Sequence, residues 1–585
     1  MTEQRVNTAG SARQRIAVWC RERIAVESRR GAIAGAPSFA YVFGWTLLLL
    51  VAVEGITGAA LAAFYSPSTT DAWASLAYVQ DRVPWGWLVR GLHVHASSAI
   101  VIVAGVHLVV IALRGGYQKP REITWWLGLV LMLLVLGFAV SGYVLRWDQS
   151  GFWANHVEVN IAASTPGIGS LVKRLALGGN EYGNLTLTRF YALHVVVLPP
   201  IFGAVAIGHA WLSRIHGPAP AIKTTAGALD FSRQPRWPHQ TMRDAIAMAV
   251  VFAVVLAFTI SQHGADLAAP ADPTAAYDAR PLWYFRWLFE LRHLAGPFER
   301  FAAMVVPAAV LGSLAVLPLV DRSPHSNGGD RRRYLVGIWG MVAVIAALTM
   351  SSFARDAGDA ALASRQDKAA QLASRARALA ASHGVPVTGA LDVFTTAPMY
   401  RARAVFAQYC KNCHDAGSEQ RKGPIIAPGH GNRAWLKGFL TDPSGSPYYG
   451  RTKLVHTENA MKPVSVSPAR LDDLTEVLYA ESGASDVDPD KRARGKAIFD
   501  DACTDCHSLD DGVGGGSGPG LGGLGSRDYY FSYIGNSGRT AHMASMAEMP
   551  RFDRELSIVD RDALAGYLVW LRTATQRDLD LLGPL

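Results

Sequence analysis

At 585 residues, half of them hydrophobic and only 18% charged, the chain is too long for one compact domain and too apolar for an ordinary water-soluble protein. A net charge of +9 would suit nucleic-acid binding in a soluble chain. Here the Lys and Arg gather in segments between apolar runs, which argues against nucleic acid and for a membrane with one basic side.

Residues 1–36 carry Arg5, Arg13, Arg15, Arg21, Arg23, Arg29 and Arg30 around Trp19, a pattern that predicts a cytoplasmic basic interfacial helix, with a disordered tail as the alternative. Apolar runs near 41–64, 96–113, 124–145, 191–212, 244–262, 300–320 and 334–352 each reach the roughly 20 residues that a spanning helix needs. The expected fold is therefore all-α: a seven-helix transmembrane bundle, read as a four-helix domain (37–216) and a three-helix domain (217–353). The first run is too long and lies too far into the chain for a cleavable signal peptide. Basic residues at Arg114, Lys119 and Arg121, at Lys223, Arg233, Arg236 and Arg243, and at Arg331 to Arg333 share one side with the N-terminus. By the positive-inside rule that side is cytoplasmic, so everything after residue 353 is expected outside a bacterial inner membrane, in the periplasm.

Histidines inside spans are costly and mark function. His93 and His107 in the second span are 14 residues apart, and His194 and His209 in the fourth are 15 apart. These steps return each pair to within about 40° and about 60° of one face, separated by about 21 Å of rise. Two haem b groups stacked across a bilayer would use His93 with His194 near the periplasm and His107 with His209 near the cytoplasm. His95, the rival of His93, points about 120° away from His107. Gly44 and Gly58 in the first span, and Gly128 and Gly142 in the third, repeat the 14-residue step, as close approach of a flat porphyrin to backbone requires.

A helical spacer is expected over 354–394, followed by two modules, 395–483 and 489–580, that share one order of features. Each module carries C-x-x-C-H: Cys410, Cys413 and His414, then Cys503, Cys506 and His507. Two thiols a turn apart fit covalent attachment of one haem c, with the adjacent His on the iron. For the second axial ligand a thioether is expected. Met461 is the only methionine between Cys413 and Cys503, with His430 and His456 as competing ligands; in the second module Met543, Met546 and Met549 compete, and Met549 precedes the stiffening Pro550. Cys20 is left over.

The residues now on the page resemble two families. Gly423-Pro424-Ile425-Ile426 and Gly518-Pro519-Gly520-Leu521 are similar to the G-P-x-L loop of class I cytochromes c, whose proline carbonyl receives the proximal imidazole N–H. Gly86-Trp87-Leu88-Val89-Arg90, Lys119-Pro120-Arg121-Glu122-Ile123-Thr124-Trp125, Trp147-Asp148-Gln149 and Leu187-Thr188-Arg189-Phe190-Tyr191 resemble the cytochrome b of quinol-oxidising bc and bf complexes, joined to a region like subunit IV, over about 15–350. That resemblance implies Arg90 beside a haem and a periplasmic quinol-oxidising pocket between the segment after Gly142 and the loop joining spans five and six. It implies a second quinone pocket near His209 and Arg214, and a homodimer. One electron would pass to a Rieske iron–sulfur protein and on to a c-type haem, reaching a terminal oxidase or a soluble periplasmic acceptor, while the other would cross both b haems. The family's P-E-W-Y reads Pro281-Leu282-Trp283-Tyr284 here, so Asp278, Glu290 or His156 is expected to take the quinol proton; Arg146 replaces the proline of L-P-W. A non-bifurcating quinone-linked conduit is the alternative that Leu282 suggests.

Overall fold

The computed structural model describes residues 18–19, 32–34, 36–165, 167–179, 181–217, 221–222, 229–230, 233–322, 331–396, 398–458, 460–510, 517–539, 542 and 547–581. Most of the basic N-terminal segment, Cys20, Lys223, Met543 and Met546 lie outside the described residues. The chain divides into two compact units, Met1–Leu391 and Asp392–Leu585.

Among the described residues, seven helices of the first unit are long and apolar enough to cross a membrane: Phe43–Ala62, Gly86–Leu113, Glu122–Val144, Asn184–His216, His239–Ser261, Trp283–Val320 and Arg332–Gly358. The second begins ten residues earlier than its apolar run, because Arg90 interrupts the hydropathy yet is itself buried within the helix. The first span packs on the second and the third on the fourth, so each glycine-bearing helix lies against a histidine-bearing one. Within the fourth span, Ala192–Val197 forms a single π-helical turn around His194. Such a turn absorbs an extra residue, so the 15-residue step to His209 does the work of the 14-residue step in the second span.

The segment between spans three and four, Gly-rich in sequence, folds into helices Gln149–Ala163 and Gly169–Leu177. Asp148 starts the first of these, its Oδ1 accepting from Gly151 N at 2.8 Å. These helices close on the loop between spans five and six: Gln149 N donates to Ala269 O at 2.9 Å and Ala271 N to Trp147 O at 3.1 Å. Ala72, Trp147, Phe152, Val159, Leu187 and Ala271 share the core beneath. The expected spacer is the helix Ala360–His383, and it is docked rather than free, with Arg377 Nε donating to Asp81 Oδ2 at 3.0 Å.

In the second unit six helices carry the core: α1 (Pro398–Val405), α2 (Arg433–Thr441), α3 (Pro468–Glu481), α4 (Pro489–Ala502), α5 (Arg527–Gly535) and α6 (Ile558–Leu571). A π-helical turn, Phe406–Cys410, continues α1 into the first C-x-x-C-H. Both modules keep the expected order of features, but their packing crosses. α1 lies on α6, and α3 lies on α4. One core joins Ala402 and Phe406 to Ile534, Phe552, Leu564, Tyr567 and Leu571; the other joins Leu436, Leu440, Leu474 and Leu478 to Ile498 and Phe499.

Candidate functional site

The upper pair of span histidines meets as expected, His93 and His194 having ring centroids 6.4 Å apart. Each ring nitrogen Nδ1 is engaged. His93 Nδ1 donates to Glu54 Oε2 at 2.9 Å, with Thr57 Oγ1 at 3.0 Å. His194 Nδ1 donates to Ser141 Oγ at 2.9 Å, since the Ser141 hydroxyl is itself committed to Gly137 O at 2.7 Å. In the lower pair His209 Nδ1 donates to Thr124 O at 3.0 Å. His107 lies against Phe43 at 5.6 Å between centroids, its buried Nδ1 unpartnered among the described residues. Holding the proton on Nδ1 leaves Nε2 with its lone pair, the form that ligates iron.

The glycines face these rings. A Cβ on Gly58 would stand 3.1 Å from His93 Cε1, one on Gly142 2.8 Å from His194 Cε1, and one on Gly128 3.3 Å from His209 Cε1; one on Gly44 would meet nothing within 4 Å. Side chains there would close the space between helices that a porphyrin edge needs, so histidines and glycines together fit haem b. His95 is turned elsewhere, its Nε2 3.0 Å from Gly264 O. Arg90, expected beside a haem, is also committed to the loop after span five. Its Nη1 donates to Gln80 Oε1 and Ala265 O, and its Nη2 to Asp266 O, at 2.8, 2.7 and 2.6 Å, so it fastens the loop after span five.

Arg146 carries that fastening further, donating to Asp148 Oδ2 at 2.6 Å and to Asp266 Oδ2 at 3.1 Å. Pro281 and Leu282 lead into a short turn, Trp283–Phe285, with the Trp283 and Tyr284 rings 5.2 Å apart. Each of the three expected proton acceptors has a polar partner. Asp278 is half-exposed in an ion pair with Arg365. Glu290 accepts from Ser351 Oγ at 2.9 Å and Arg355 Nη2 at 2.5 Å. His156 Nδ1 is tied to Asn160 at 3.1 Å, and its ring stacks on Tyr182.

The carboxylate that sequence reasoning missed is Glu158. It lies beside Asn155, within electrostatic reach of Tyr182 and Tyr284, and its Oε2 and both polar side-chain atoms of Asn155 are buried without a well-formed partner among the described residues. Burial pushes the Glu158 carboxyl up to about 7. Its signal in the sequence is faint: a lone acid four residues from Ala162 on a helix whose neighbours only the folded loop supplies.

In the second unit both attachment motifs are shaped alike. His414 Nδ1 donates to Pro424 O and His507 Nδ1 to Pro519 O, each at 2.8 Å, so the Gly-Pro loops orient the imidazoles as the cytochrome c resemblance implies. A Cβ on Gly423 would stand 2.5 Å from His414 Cε1, and one on Gly518 2.7 Å from His507 Cε1. On the distal side the contacts cross between the modules. Met461 lines a cavity of about 670 Å³ together with Cys503, Cys506, His507 and Pro519, the motif of the other module. Met549 packs with Cys410 and Ile426 in the core of α1 and α6. The physical reason is the crossed packing: α3, which follows Met461, lies on α4, which precedes Cys503. His430 is buried against Trp435, with centroids 4.7 Å apart, and His456 ends a short turn at Lys453–His456.

A family profile described as cytochrome b/b6/petB matches residues 32–217, and one described as cytochrome c matches residues 492–572. Over 354 residues the chain is 29% identical to the cytochrome bc complex cytochrome b subunit of Chlorobaculum thiosulfatiphilum, covering 59% of this chain and 81% of that protein. Over 177 residues it is 37% identical to cytochrome b6 of Rippkaea orientalis, covering 30% of this chain and 80% of that protein. A solved structure titled hyperthermophilic respiratory Complex III aligns with a TM-score of 0.49 at 24% identity, over 64% of this chain and 99% of that one.

Proposed function

Because this chain belongs to the cytochrome b/b6 family and carries a cytochrome c domain in the same polypeptide, we propose that it is the electron-transfer subunit of a bc-type complex that oxidises quinol. The observation that carries this reading is the span bundle: His93 meets His194, three of the four span histidines have Nδ1 engaged, and a glycine stands opposite each of those three rings. Two haem b and two covalently bound haem c are the proposed complement, and they supply one-electron chemistry between a two-electron quinol and single-electron acceptors.

Quinol oxidation would take place between helix Gln149–Ala163, the loop after span five and Trp283–Tyr284. A quinol hydroxyl there must lose its proton as its electrons leave. Glu158 is proposed as the acceptor, since it is a buried carboxyl within electrostatic reach of Tyr284 and has no cation as a hydrogen-bond or ion-pair partner among the described residues. With a carboxyl near 7 it is half ionised at neutral pH and increasingly available as a base above it. Arg90 and Arg146 hold the loop that forms the wall. The proposed setting is a bacterial inner membrane with the N-terminus cytoplasmic and the c modules periplasmic, so protons leave outward. The proposed partners are a Rieske iron–sulfur protein, a terminal oxidase or soluble periplasmic acceptor, and a second copy of this chain in a homodimer; a second quinone pocket would lie near His209 and Arg214.

A test is to purify the chain with its partners, count the haems by spectrum, and add quinol. Two b and two c haems per chain, both types reduced together, is the expected result. A chain without haem b would sink the reading. The second reading, a non-bifurcating conduit, draws on Leu282 alone. Introducing Leu282→Glu separates the two: a large rise in turnover means a repurposed pocket, whereas an inhibitor-sensitive native reaction little changed by the substitution favours Glu158 as acceptor.

A further inference from the structure

We infer that each c-type haem is shared between the two modules: the haem tethered at Cys503 and Cys506 on His507 takes Met461 as its distal ligand, and the haem tethered at Cys410 and Cys413 on His414 takes Met549. The inference rests on the proposed attachment of haem at both motifs and adds to it which sulfur faces which iron.

Three independent features carry it. First, Met461 and His507 line one cavity of about 670 Å³ that holds Trp435, Leu440 and Tyr449 from the first module and Phe499, Pro519 and Leu521 from the second, a volume and an apolar lining suited to a haem-sized ligand. Second, the helix contacts are equivalent but exchanged. Ala402 and Phe406 stand eight and four residues before Cys410, as Gly495 and Phe499 stand before Cys503, and each pair packs on the closing helix of the other module. At Gly495 the approach is so close that a Cβ would fall 2.0 Å from Asp473 O. Third, polar contacts cross in the same sense. Gly429 N donates to Leu571 O at 2.7 Å, Arg401 Nε to Asp560 Oδ1 at 2.6 Å, Arg403 Nη1 to Leu579 O at 3.1 Å, and Arg494 Nη2 to Asp473 Oδ1 at 2.7 Å. The chain from about 430 to 526 thus builds one haem fold, inserted into a second built from the flanking stretches.

The ligand test uses the full-length chain in its complex, in two single-haem backgrounds. With Cys503→Ala and Cys506→Ala only the first motif is loaded; Met549→Ala should then abolish the sulfur–iron charge-transfer band and lower the midpoint potential, while Met461→Ala should leave both unchanged. With Cys410→Ala and Cys413→Ala the two methionines should exchange roles. The opposite dependence, or a band that survives both methionine changes and vanishes with His430→Ala, overturns the inference. A second measurement needs no ligand variant: a protease site inserted between Ser482 and Pro489 is cleaved in the otherwise native complex. Exchanged modules keep the piece beginning at 489 bound to the membrane, whereas its release as a soluble haem-stained domain overturns the inference. Covalent haem counted on the denatured chain reports separately on attachment, so loss of that reading is distinguishable from loss of the pairing.

Discussion

The span bundle and the C-terminal unit each combine two ligand pairs with glycines pressed against imidazoles, yet they assemble those pairs in different ways. In the bundle both ligands of a pair come from helices whose own periodicity sets them, and a one-turn π-helix around His194 is the only adjustment among the described residues. In the C-terminal unit the proximal half of each motif is local, with His414 and His507 fixed by prolines ten and twelve residues on, while the methionine packed near each motif, Met549 near Cys410 and Met461 near His507, comes from the other module. A rigid helix can specify a site along its length. A short motif can specify only its own side of one, and what closes it depends on which helices the connections bring together.

The strongest way to break this comparison is to remove a ligand on each side. His194→Ala should eliminate the haem b of its pair from the purified complex while covalent haem c stays at its full count, read from the pyridine haemochrome spectrum; retention of both b haems would contradict the pairing. Met461→Ala, by contrast, should leave covalent haem in place, because the thioether bonds hold it whatever the distal ligand. Next in size comes the shared core. Phe499, 2% exposed, packs under α3, and Phe499→Ala should cost about 3–5 kcal/mol of the unit's stability. Since the two folds interlock, both c haems should lose their native absorption in one thermal step. Two separate steps, only one of them shifted, would show instead that each module stands alone.

How much of this was legible follows the same division. The 14-residue steps of His93 to His107 and Gly128 to Gly142 are carried by one helix each, so counting along the chain finds them. The π-turn was hidden inside the 15-residue step, which demanded some accommodation without naming it. All seven membrane spans were legible, but the second, fourth and sixth begin seven or more residues before their apolar runs, and the two short helices after Trp147 lie in a segment whose glycines mask them. The anchoring role of Arg90 was not legible: no local pattern says that an arginine will bind a carbonyl 175 positions away. The exchange of modules had one faint trace, the short link 482–488, since helices joined by so few residues lie antiparallel and adjacent. Read as a boundary it separates two modules; read as a hairpin it joins them.

Glu158 sharpens the contrast between periodic and non-periodic parts of the first unit, because no repeat along the chain brings it within electrostatic reach of Tyr284. Glu158→Gln keeps the shape and removes the base, so quinol-driven reduction of haem should slow by about 10²-fold, the lower end of what a general base contributes. The wild-type rate should rise as pH increases through about 7, where the carboxyl ionises, and that rise should be missing from the variant. Asp278→Asn serves as the control. Its partner Arg365 and its exposure predict little change in rate, and an equal loss there would return the role to Asp278.

The smallest effect compares the two exchanged helix crossings with each other. Gly495 meets the α3 backbone, where a Cβ would fall 2.0 Å from Asp473 O, an atom that cannot move aside as a flexible side chain would. Gly495→Ala should therefore push α4 off α3 and destabilise by about 1–3 kcal/mol, although Ala is the better helix former. At the equivalent position of α1 stands Ala402, fully buried against α6, so that crossing already accommodates a methyl. Ala402→Gly should cost only about 1 kcal/mol, the helix-propensity difference with little added for the lost methyl contact. Thermal melts of the two variants, followed at the c-haem absorption, check the ordering. Were Gly495→Ala neutral, the tight α3–α4 contact on which the crossed arrangement depends would not exist in solution.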